Sequence, residues 1–213
     1  MLIQLIVEKH LRSALDDGLH LSGQNRGFAF IALAGTEPLD DLMGSFAALE
    51  TEHGGETMIL TADRDMFQCA NESVTILLQK ARQQGPDEVG PDQVREIYGI
   101  DPSQVPDFIA LRGDPSDGLP GAKGIGAKTA GDLLRRKGDL DHVILGAIRE
   151  TPSVRKALIE QADELRSFKE IATLVEVELD AVEDRETDWA GGSTAASELG
   201  MNRLAERLQK LAG

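Results

Sequence analysis

Residues 113–130 read GDPSDGLPGAKGIGAKTA, and this is the most informative stretch of the chain. Three of its glycines, Gly121, Gly124 and Gly126, let backbone amides approach a phosphate group closely. A predicted helix begins directly afterwards at Ala127, and its positive N-terminal end also favours a phosphate. The stretch therefore predicts a glycine-rich turn that leads into a helix and binds a phosphate group.

Basic side chains are concentrated around this turn. Between Asp117 and Lys137 the chain has five basic and two acidic residues, a net charge of +3, whereas the whole chain carries −15. The five are Lys123, Lys128, Arg135, Arg136 and Lys137. The acidic balance argues against a general nucleic-acid coat or a binder of anionic membranes, but local charge decides local binding. The turn is therefore the local basic patch that suits a nucleic-acid backbone.

Two alternatives compete for the same turn. A Walker A loop needs Gly followed at once by Lys, whereas here Ala127 separates Gly126 from Lys128. The residues before the turn, Leu119 and Pro120, are also not a strand. The second alternative is a glycine turn that joins two helices and binds no ligand.

Three groups of acidic residues are candidate metal ligands. Asp63 and Asp65 follow a predicted strand at residues 58–61, and open α/β sheets bind ligands at that end of their strands. The other groups are Asp114 with Asp117, and Glu37 with Asp40 and Asp41. Oxygen ligands without His or Cys favour Mg²⁺ or Mn²⁺, and paired ions of this kind hydrolyse phosphodiesters. Since each group alone is ordinary in loops and at helix starts, the metal interpretation requires the groups to converge in space.

Length and composition limit the other possibilities. A chain of 213 residues and 23.0 kDa suits one domain, or one domain with a smaller appended one. The single cysteine, Cys69, excludes an intrachain disulfide and a Cys-based zinc site. The longest apolar run, residues 28–34, is too short to span a bilayer, and residues 1–7 lack the basic leader of a signal peptide. We therefore expect a soluble cytoplasmic protein.

The order of predicted elements indicates an α/β layer followed by a helical region. A helix at residues 40–52 and strands at 58–61 and 74–78, with a further strand candidate at 28–34, favour a parallel sheet. Short helices that end at glycines are predicted from residue 91 onward, at 92–98, 105–112 and 127–137. A longer helix at 154–172, an acidic connector at 176–188 and a small amphipathic helix at 199–211 complete the prediction.

Several motifs together resemble the bacterial 5′-3′ exonucleases, which include the N-terminal nuclease domain of bacterial DNA polymerase I and are relatives of the flap endonucleases. The motifs are Thr61-Ala62-Asp63-Arg64-Asp65 followed by Phe67-Gln68, then Tyr98-Gly99, Ala110-Leu111 and the stretch 113–130. The resemblance extends from about Glu37 to the end and is strongest from Met58 to Lys137. No polymerase-like extension follows residue 213, so the resemblance is to the stand-alone enzymes.

The resemblance implies a fold and a division into domains. Residues 1–90 would form a PIN-like α/β nuclease domain with an incomplete parallel sheet layer, in which residues 1–35 are not recognisable. Residues 91–175 would form an all-α helix-3-turn-helix domain, similar to a helix-hairpin-helix, that binds DNA. Residues 176–213 would be the acidic connector and a C-terminal helix.

The resemblance also implies the site residues. Catalytic roles would fall to Asp63, Asp65, Asp114 and Asp117, and the same four residues with Asp40 and Asp41 would hold two Mg²⁺ or Mn²⁺ ions. One ion would activate a water and the other would stabilise the leaving oxygen. The residues implied to grip duplex DNA without reading its bases are Gly121, Lys123, Gly124, Ile125, Gly126, Lys128 and Thr129. A potassium ion would join this turn to a DNA phosphate.

Three departures from the family pattern affect these expectations. Glu37, the seventh acidic residue that would hold metal, is one residue out of register with the family's glutamate, and Gly118 stands where the family has Asn. The opening strand with its metal-binding Asp, a second Asp and the basic helical arch are not recognisable in residues 1–35. The chain is therefore expected to lack the family's N-terminal third.

The expected function is a 5′-3′ exonuclease of DNA replication and repair. It would act on double-stranded or flap DNA by two-metal phosphodiester hydrolysis, with a DNA 5′ end or flap as its partner and no membrane. One alternative is a catalytically inactive DNA-binding remnant of such a nuclease, and another is an acidic fragment that does not fold alone. The sequence indicates no protein partner.

Overall fold

A computed structural model describes residues 39–82, 85–179 and 188–213, together with the backbone of residues 2–6 and 28–31. The described residues divide into two compact units, each with its own core. The first unit draws on residues 1–63, 73–88 and 177–213, and the second on residues 64–72 and 89–176. The domain boundaries expected at residues 90 and 175 stay a prediction.

A five-stranded sheet forms the centre of the first unit. Its strands are β1 (Leu2–Ile6), β2 (Phe28–Ile31), β3 (Glu56–Thr61), β4 (Val74–Leu78) and β5 (Asp87–Val89), in the order β2-β1-β3-β4-β5. β1 pairs in parallel with both β2 and β3, and β3 pairs in parallel with β4. Because these strands are parallel, their carboxyl ends share one edge of the sheet, and Asp63 follows β3 at that edge.

The inner position of β1 could not be predicted from its sequence. Leu5 of β1 lies opposite both Ile31 of β2 and Ile59 of β3, so β1 forms hydrogen-bond ladders on both sides. The sequence of a strand in that position is a short apolar run. Periodicity alone does not distinguish such a run from a buried helical segment. The predicted strand at 28–34 is observed as Phe28–Ile31.

Three helices of the first unit lie within the described residues. Helix α1 (Leu39–Glu52) buries Met43 and Ala47 and packs against β3, close to its predicted bounds of 40–52. The helix predicted at 199–211 is observed with a start three residues later, but it is preceded by a helix that was not predicted. The structure has two packed helices, α8 (Trp189–Glu198) and α9 (Asn202–Leu211), with Gly200 between them at φ 75°. The sequence of α8 is rich in small residues and has no apolar stripe, so the helical period is hidden.

The second unit is helical. Its helices are α2 (Pro91–Tyr98), α3 (Val105–Arg112), α4 (Ala127–Lys137), α5 (Leu140–Leu145), α6 (Pro152–Glu160) and α7 (Ala162–Ala172), with short 3-10 helices at Asp65–Cys69, Pro102–Gln104 and Ala147–Arg149. The helices predicted at 92–98, 105–112 and 127–137 are confirmed to within a residue. They are identifiable because each is followed by a glycine with positive φ.

The long helix predicted at 154–172 is wrong, because the chain breaks at Gln161. This residue ends α6 and precedes the first turn of α7, with φ −107° and ψ 12°. Leu158 and Leu165 are both fully buried on either side of the break. Their seven-residue spacing fits one continuous helix, so apolar periodicity does not reveal the break.

Helix α3 is the centre of the second unit. Every residue from Val105 to Leu111 is buried, and α3 packs against α4, α5 and α7. The carboxylate of Asp107 accepts a hydrogen bond from the Leu140 N–H at 3.0 Å and pairs with the Lys169 ammonium at 2.7 Å. A buried carboxylate requires such partners. Asp107 therefore ties the start of α5 and the body of α7 to α3.

Candidate functional site

Two backbone segments cross closely at the base of the glycine-rich turn. Gly113 and Gly121 have φ of 84° and 67°. A Cβ atom on Gly121 would lie 2.3 Å from the backbone nitrogen of Gly113, and one on Gly113 would lie 2.7 Å from the carbonyl oxygen of Leu119. Glycine alone combines this conformation with this close approach. The N–H groups of Asp114 and Leu119 donate to each other's carbonyl oxygens, both at 2.8 Å, and close the loop between them.

Buried apolar side chains hold the turn and leave its tip exposed. The side chains of Leu119, Ala122 and Ile125 are buried, and the Ala122 N–H donates to the Leu111 carbonyl at 2.9 Å. Between and beyond these anchors the exposed residues are Pro120, Lys123, Gly124, Gly126, Ala127 and Lys128. Ile125, predicted to contact DNA, therefore directs its side chain into the core.

The turn leads into an uncapped helix N-terminus. Gly126 is the N-cap of α4, with extended backbone and no side-chain cap, and its carbonyl accepts the Ala130 N–H at 2.9 Å. The first N–H groups of any α-helix lack acceptors within the helix. Lys128 is exposed in this first turn and Thr129 is half-buried. Donors and positive charge thus meet at one exposed end of α4.

The five basic residues of this region are not equivalent. The Arg136 guanidinium makes two hydrogen bonds, at 2.9 and 3.1 Å, with the Glu150 carboxylate, and Arg135 pairs with Asp132. The hydrogen bonds from Arg136 hold the pKa of Glu150 below its ordinary value, against the opposing effect of burial. Across residues 39–82, 85–179 and 188–213, no ion pair involves Lys123 or Lys128. Lys137, at the other end of α4, is likewise absent from the ion pairs of the described residues. At the turn itself, the cations without an ion pair in this part of the chain are therefore Lys123 and Lys128.

One contact of the turn was missed by the sequence analysis. The Lys123 backbone N–H donates to the side-chain oxygen of Gln161 at 2.8 Å. Gln161 lies at the break between α6 and α7, 38 residues away along the chain. No local pattern could have identified the contact, because it depends on how α6 and α7 pack against the turn.

Asp114 is held by three hydrogen bonds from its neighbours in the chain. Its Oδ2 accepts a hydrogen bond from Arg112 at 2.9 Å, and its Oδ1 accepts one from the Ser116 N–H at 2.9 Å and another from the Ser116 hydroxyl. Burial alone would raise the pKa of Asp114, but the hydrogen bonds from Ser116 and the charge of Arg112 lower it. Asp117, in contrast, is exposed.

The remaining predicted ligands are distributed over the two units. Asp40 and Asp41 lie in the first turn of α1, and the Asp63 N–H donates to the Thr61 hydroxyl at 3.0 Å. These three belong to the first unit, whereas Asp65, Asp114 and Asp117 belong to the second. Glu37 lies outside the described residues. Among the side chains that are described, no group of three or more His, Cys, Asp or Glu is arranged to hold a metal ion. The metal site stays a prediction.

The turn and its neighbouring helices lie within a segment of known family. Residues 100–189 match the family model described as 5′-3′ exonuclease, C-terminal SAM fold. This segment belongs to the 5′-3′ exonuclease family. It contains Asp114, Asp117, the whole turn and Gln161. The resemblance drawn from the sequence motifs is confirmed.

The chain is also similar in sequence to part of much longer proteins, the DNA polymerases I of bacteria. The thermostable DNA polymerase I of Thermus thermophilus is 37% identical over 169 residues, which are 78% of this chain and 20% of the relative. DNA polymerase I of Bacillus caldotenax is 32% identical over 176 residues, or 80% of this chain and 20% of the relative. The chain thus spans about a fifth of the length of these relatives.

Solved structures of similar fold are also exonucleases and flap endonucleases. A T5 5′-exonuclease with bound zinc has a TM-score of 0.59 and 18% identity, covering 87% of this chain and 64% of its own. A bacteriophage T5 flap endonuclease in complex with DNA and metal ions has a TM-score of 0.59 and 17% identity, covering 87% and 63%. The predicted fold, an α/β layer followed by the helical exonuclease domain, is confirmed. In the described part of the chain, no helix has both the length and the apolar character needed to cross a membrane.

Proposed function

We propose that this protein grips the backbone of duplex DNA with the turn at residues 121–129 and acts as a metal-dependent 5′-3′ exonuclease or flap endonuclease. The observation that carries the proposal is the exposed tip, where Lys123, Gly124, Gly126 and Lys128 surround the uncapped start of α4 above three buried anchors. The exonuclease family of residues 100–189 supports the nuclease activity.

The turn suits a phosphate backbone and not a base sequence. Backbone N–H groups and lysine ammonium groups bind phosphate oxygens, which carry no sequence information. The exposed tip offers no Asn, Gln or Arg for the bidentate contacts that read bases, since its exposed residues are two lysines, two glycines and Ala127. Binding should therefore be indifferent to sequence and strongly weakened by salt.

The aspartates fit a hard divalent ion in their chemistry. Carboxylate oxygens are the ligands that Mg²⁺ and Mn²⁺ prefer, and the lowered pKa of Asp114 keeps this group ionised at neutral pH. The residues that would hold two ions are Asp40, Asp41, Asp63, Asp65, Asp114 and Asp117. Such ions supply an activated water and stabilise the leaving oxygen. A potassium ion at the turn rests on the family resemblance alone.

A second candidate is a DNA-binding protein without nuclease activity. It is favoured by the contrast between the turn and the acidic residues. The turn is complete, whereas within the described part of the chain no group of three or more acidic residues is arranged to hold a metal ion. This protein would bind duplex DNA through the same lysines and would not cleave it.

Cleavage of a 5′-labelled flap duplex at low salt, with Mg²⁺ or Mn²⁺ against EDTA, distinguishes the two candidates. The double variant Asp114→Ala, Asp117→Ala serves as the control for contaminating nucleases. Metal-dependent cleavage that disappears in the double variant supports the nuclease. A shifted band without cleavage supports the DNA-binding protein, and the absence of both contradicts the proposal.

A further inference from the structure

Arg112 and Asp114 form a partly buried ion pair at the entrance to the glycine-rich turn. The Arg112 guanidinium donates to Asp114 Oδ2 at 2.9 Å and to the Gly113 carbonyl oxygen at 2.9 Å. Only 25% of the Arg112 side chain and 13% of the Asp114 side chain are exposed. The pair is therefore unlike the flexible ion pairs of a protein surface.

An aromatic stack keeps the guanidinium in place. Its central carbon lies 5.4 Å from the ring centroid of Phe108, which stacks on Tyr98 at a centroid distance of 4.6 Å. Tyr98 in turn contacts Phe67 at 5.8 Å. An arginine over an aromatic ring gains a cation–π attraction that a neutral side chain would lose. The Phe108 ring therefore helps to keep the Arg112 guanidinium beside Asp114.

A cation that binds Asp114 must compete with Arg112 for the carboxylate, because both carboxylate oxygens already accept hydrogen bonds. Ser116 occupies Oδ1 with two donors, and Arg112 occupies Oδ2. A divalent ion that binds Oδ2 must share it with the guanidinium or displace it. Arginine cannot relieve the competition by losing a proton, because it stays charged in proteins. Its positive charge close to the carboxylate repels the arriving ion.

We propose that Arg112 is a built-in counter-cation of Asp114, which competes with the divalent ion for this carboxylate and sets the ion concentration at which the site fills. The inference rests on the proposed function, since it takes Asp114 as a metal ligand. Arg112 acts through Asp114 and is a positioning residue. In the metal-free protein its charge offsets that of the partly buried Asp114 carboxylate, which would otherwise have only the two hydrogen bonds from Ser116.

The test is a titration of the DNA-free full chain with Mn²⁺, with free Mn²⁺ measured by electron paramagnetic resonance. Replacing one positive charge beside the carboxylate, as in Arg112→Gln, is expected to tighten Mn²⁺ binding about tenfold. Arg112→Lys keeps the charge and is expected to bind as the unchanged protein does. Circular dichroism melting shows whether each variant folds, and Arg112→Met replaces the Gln variant if that variant does not fold.

Mn²⁺ binding by Arg112→Gln that is unchanged or weaker overturns the inference while leaving the metal site itself intact. Asp114→Asn separates the two failures. If Asp114→Asn binds Mn²⁺ as well as the unchanged protein, Asp114 is not a metal ligand, and both the inference and that part of the proposed function are wrong. DNA binding by the turn is measured separately and does not depend on either result.

Discussion

The side chain of Gln161 accepts a hydrogen bond from the backbone N–H of Lys123 at 2.8 Å, and so links the break between α6 and α7 to the tip of the glycine-rich turn. This contact consumes one backbone donor of the tip and fixes the residue whose ammonium group projects from it. The proposed DNA grip thus depends on Gln161, an uncharged residue at a helix junction.

Removing the Gln161 contact is expected to weaken duplex binding without unfolding the protein. A neutral hydrogen bond contributes about 1 kcal/mol, so Gln161→Ala should raise the Kd for duplex DNA about fivefold. Gln161→Glu keeps an acceptor oxygen and should retain the position of Lys123, which amide hydrogen exchange of Lys123 reports. Fluorescence anisotropy with a labelled duplex measures the Kd. Equal binding by the Ala variant would show that the contact does not position the tip.

The two unpaired lysines of the turn are expected to account for the salt dependence of binding. Each lysine that contacts a phosphate contributes about 0.9 to the slope of log Kd against log salt. Lys123→Ala and Lys128→Ala should each lower this slope by about that amount. Lys210→Ala, which removes an exposed lysine of α9, is the matched control and should leave the slope unchanged. Slopes that stay the same in both turn variants would exclude this surface as the DNA contact.

A methyl group at Gly121 should destabilise the second unit more than one at Gly118. Both glycines have positive φ, 67° and 71°, but a Cβ at Gly121 meets backbone atoms whereas one at Gly118 meets open space. The left-handed conformation costs a non-glycine residue about 1–2 kcal/mol at either position. The clash should add about 2 kcal/mol or more for Gly121→Ala alone. Urea unfolding of the two variants measures the difference, and equal losses would contradict the close crossing at Gly113.

The buried ion pair of Asp107 predicts a second stability effect. Lys169→Met leaves Asp107 buried with only the Leu140 N–H as a partner. Because the Lys169 side chain is itself partly exposed, the expected loss is about 2 kcal/mol, below the value for a fully buried pair. Lys156→Met removes an exposed lysine that lies 3.9 Å from Glu160 and should cost about 0.5 kcal/mol or less. Thermal unfolding compares the two, and similar losses would argue against a structural role for the pair.

The Arg136–Glu150 pair should make stability depend on pH in the acid range. The pKa of Glu150 is lowered in the folded protein, mainly because its carboxylate accepts hydrogen bonds from Arg136. A depressed carboxyl pKa contributes stability that is present above the unfolded value and is lost as the pH falls through the folded value. The stability difference between the unchanged protein and Arg136→Gln should therefore be present at pH 7 and shrink below about pH 4.5. Denaturant unfolding at several pH values measures it, with Arg135→Gln as the control. A difference that does not change with pH would contradict the pKa shift.

Local sequence was sufficient for the turn and the helices around it. The ends of α2, α3 and α4 are each marked by one glycine with positive φ. These are Gly99, Gly113 and Gly138, with φ of 72°, 84° and 95°. The turn itself depends on glycines whose conformation few other residues adopt. These features need no information from distant parts of the chain, which is why they could be predicted.

Other features were hidden because distant residues produce them. Apolar spacing continues across the break at Gln161, so a single helix was the natural prediction. The strand β1 is an apolar run whose role is decided by β2 and β3 on either side of it. The ion pair that occupies the Arg136 side chain depends on Glu150, which lies 14 residues away along the chain.

The sequence by itself determined the glycine-rich turn, the start of α4 and the exonuclease resemblance, because backbone conformation at glycine and helix ends is a local property. Only the tertiary structure decided which basic side chains of the described residues form ion pairs and that Gln161 binds the Lys123 N–H. It also decided that Phe108, stacked on Tyr98, lies beside the Arg112 guanidinium. These are contacts between side chains and backbone that packing brings together. Their partners obey no fixed spacing along the chain.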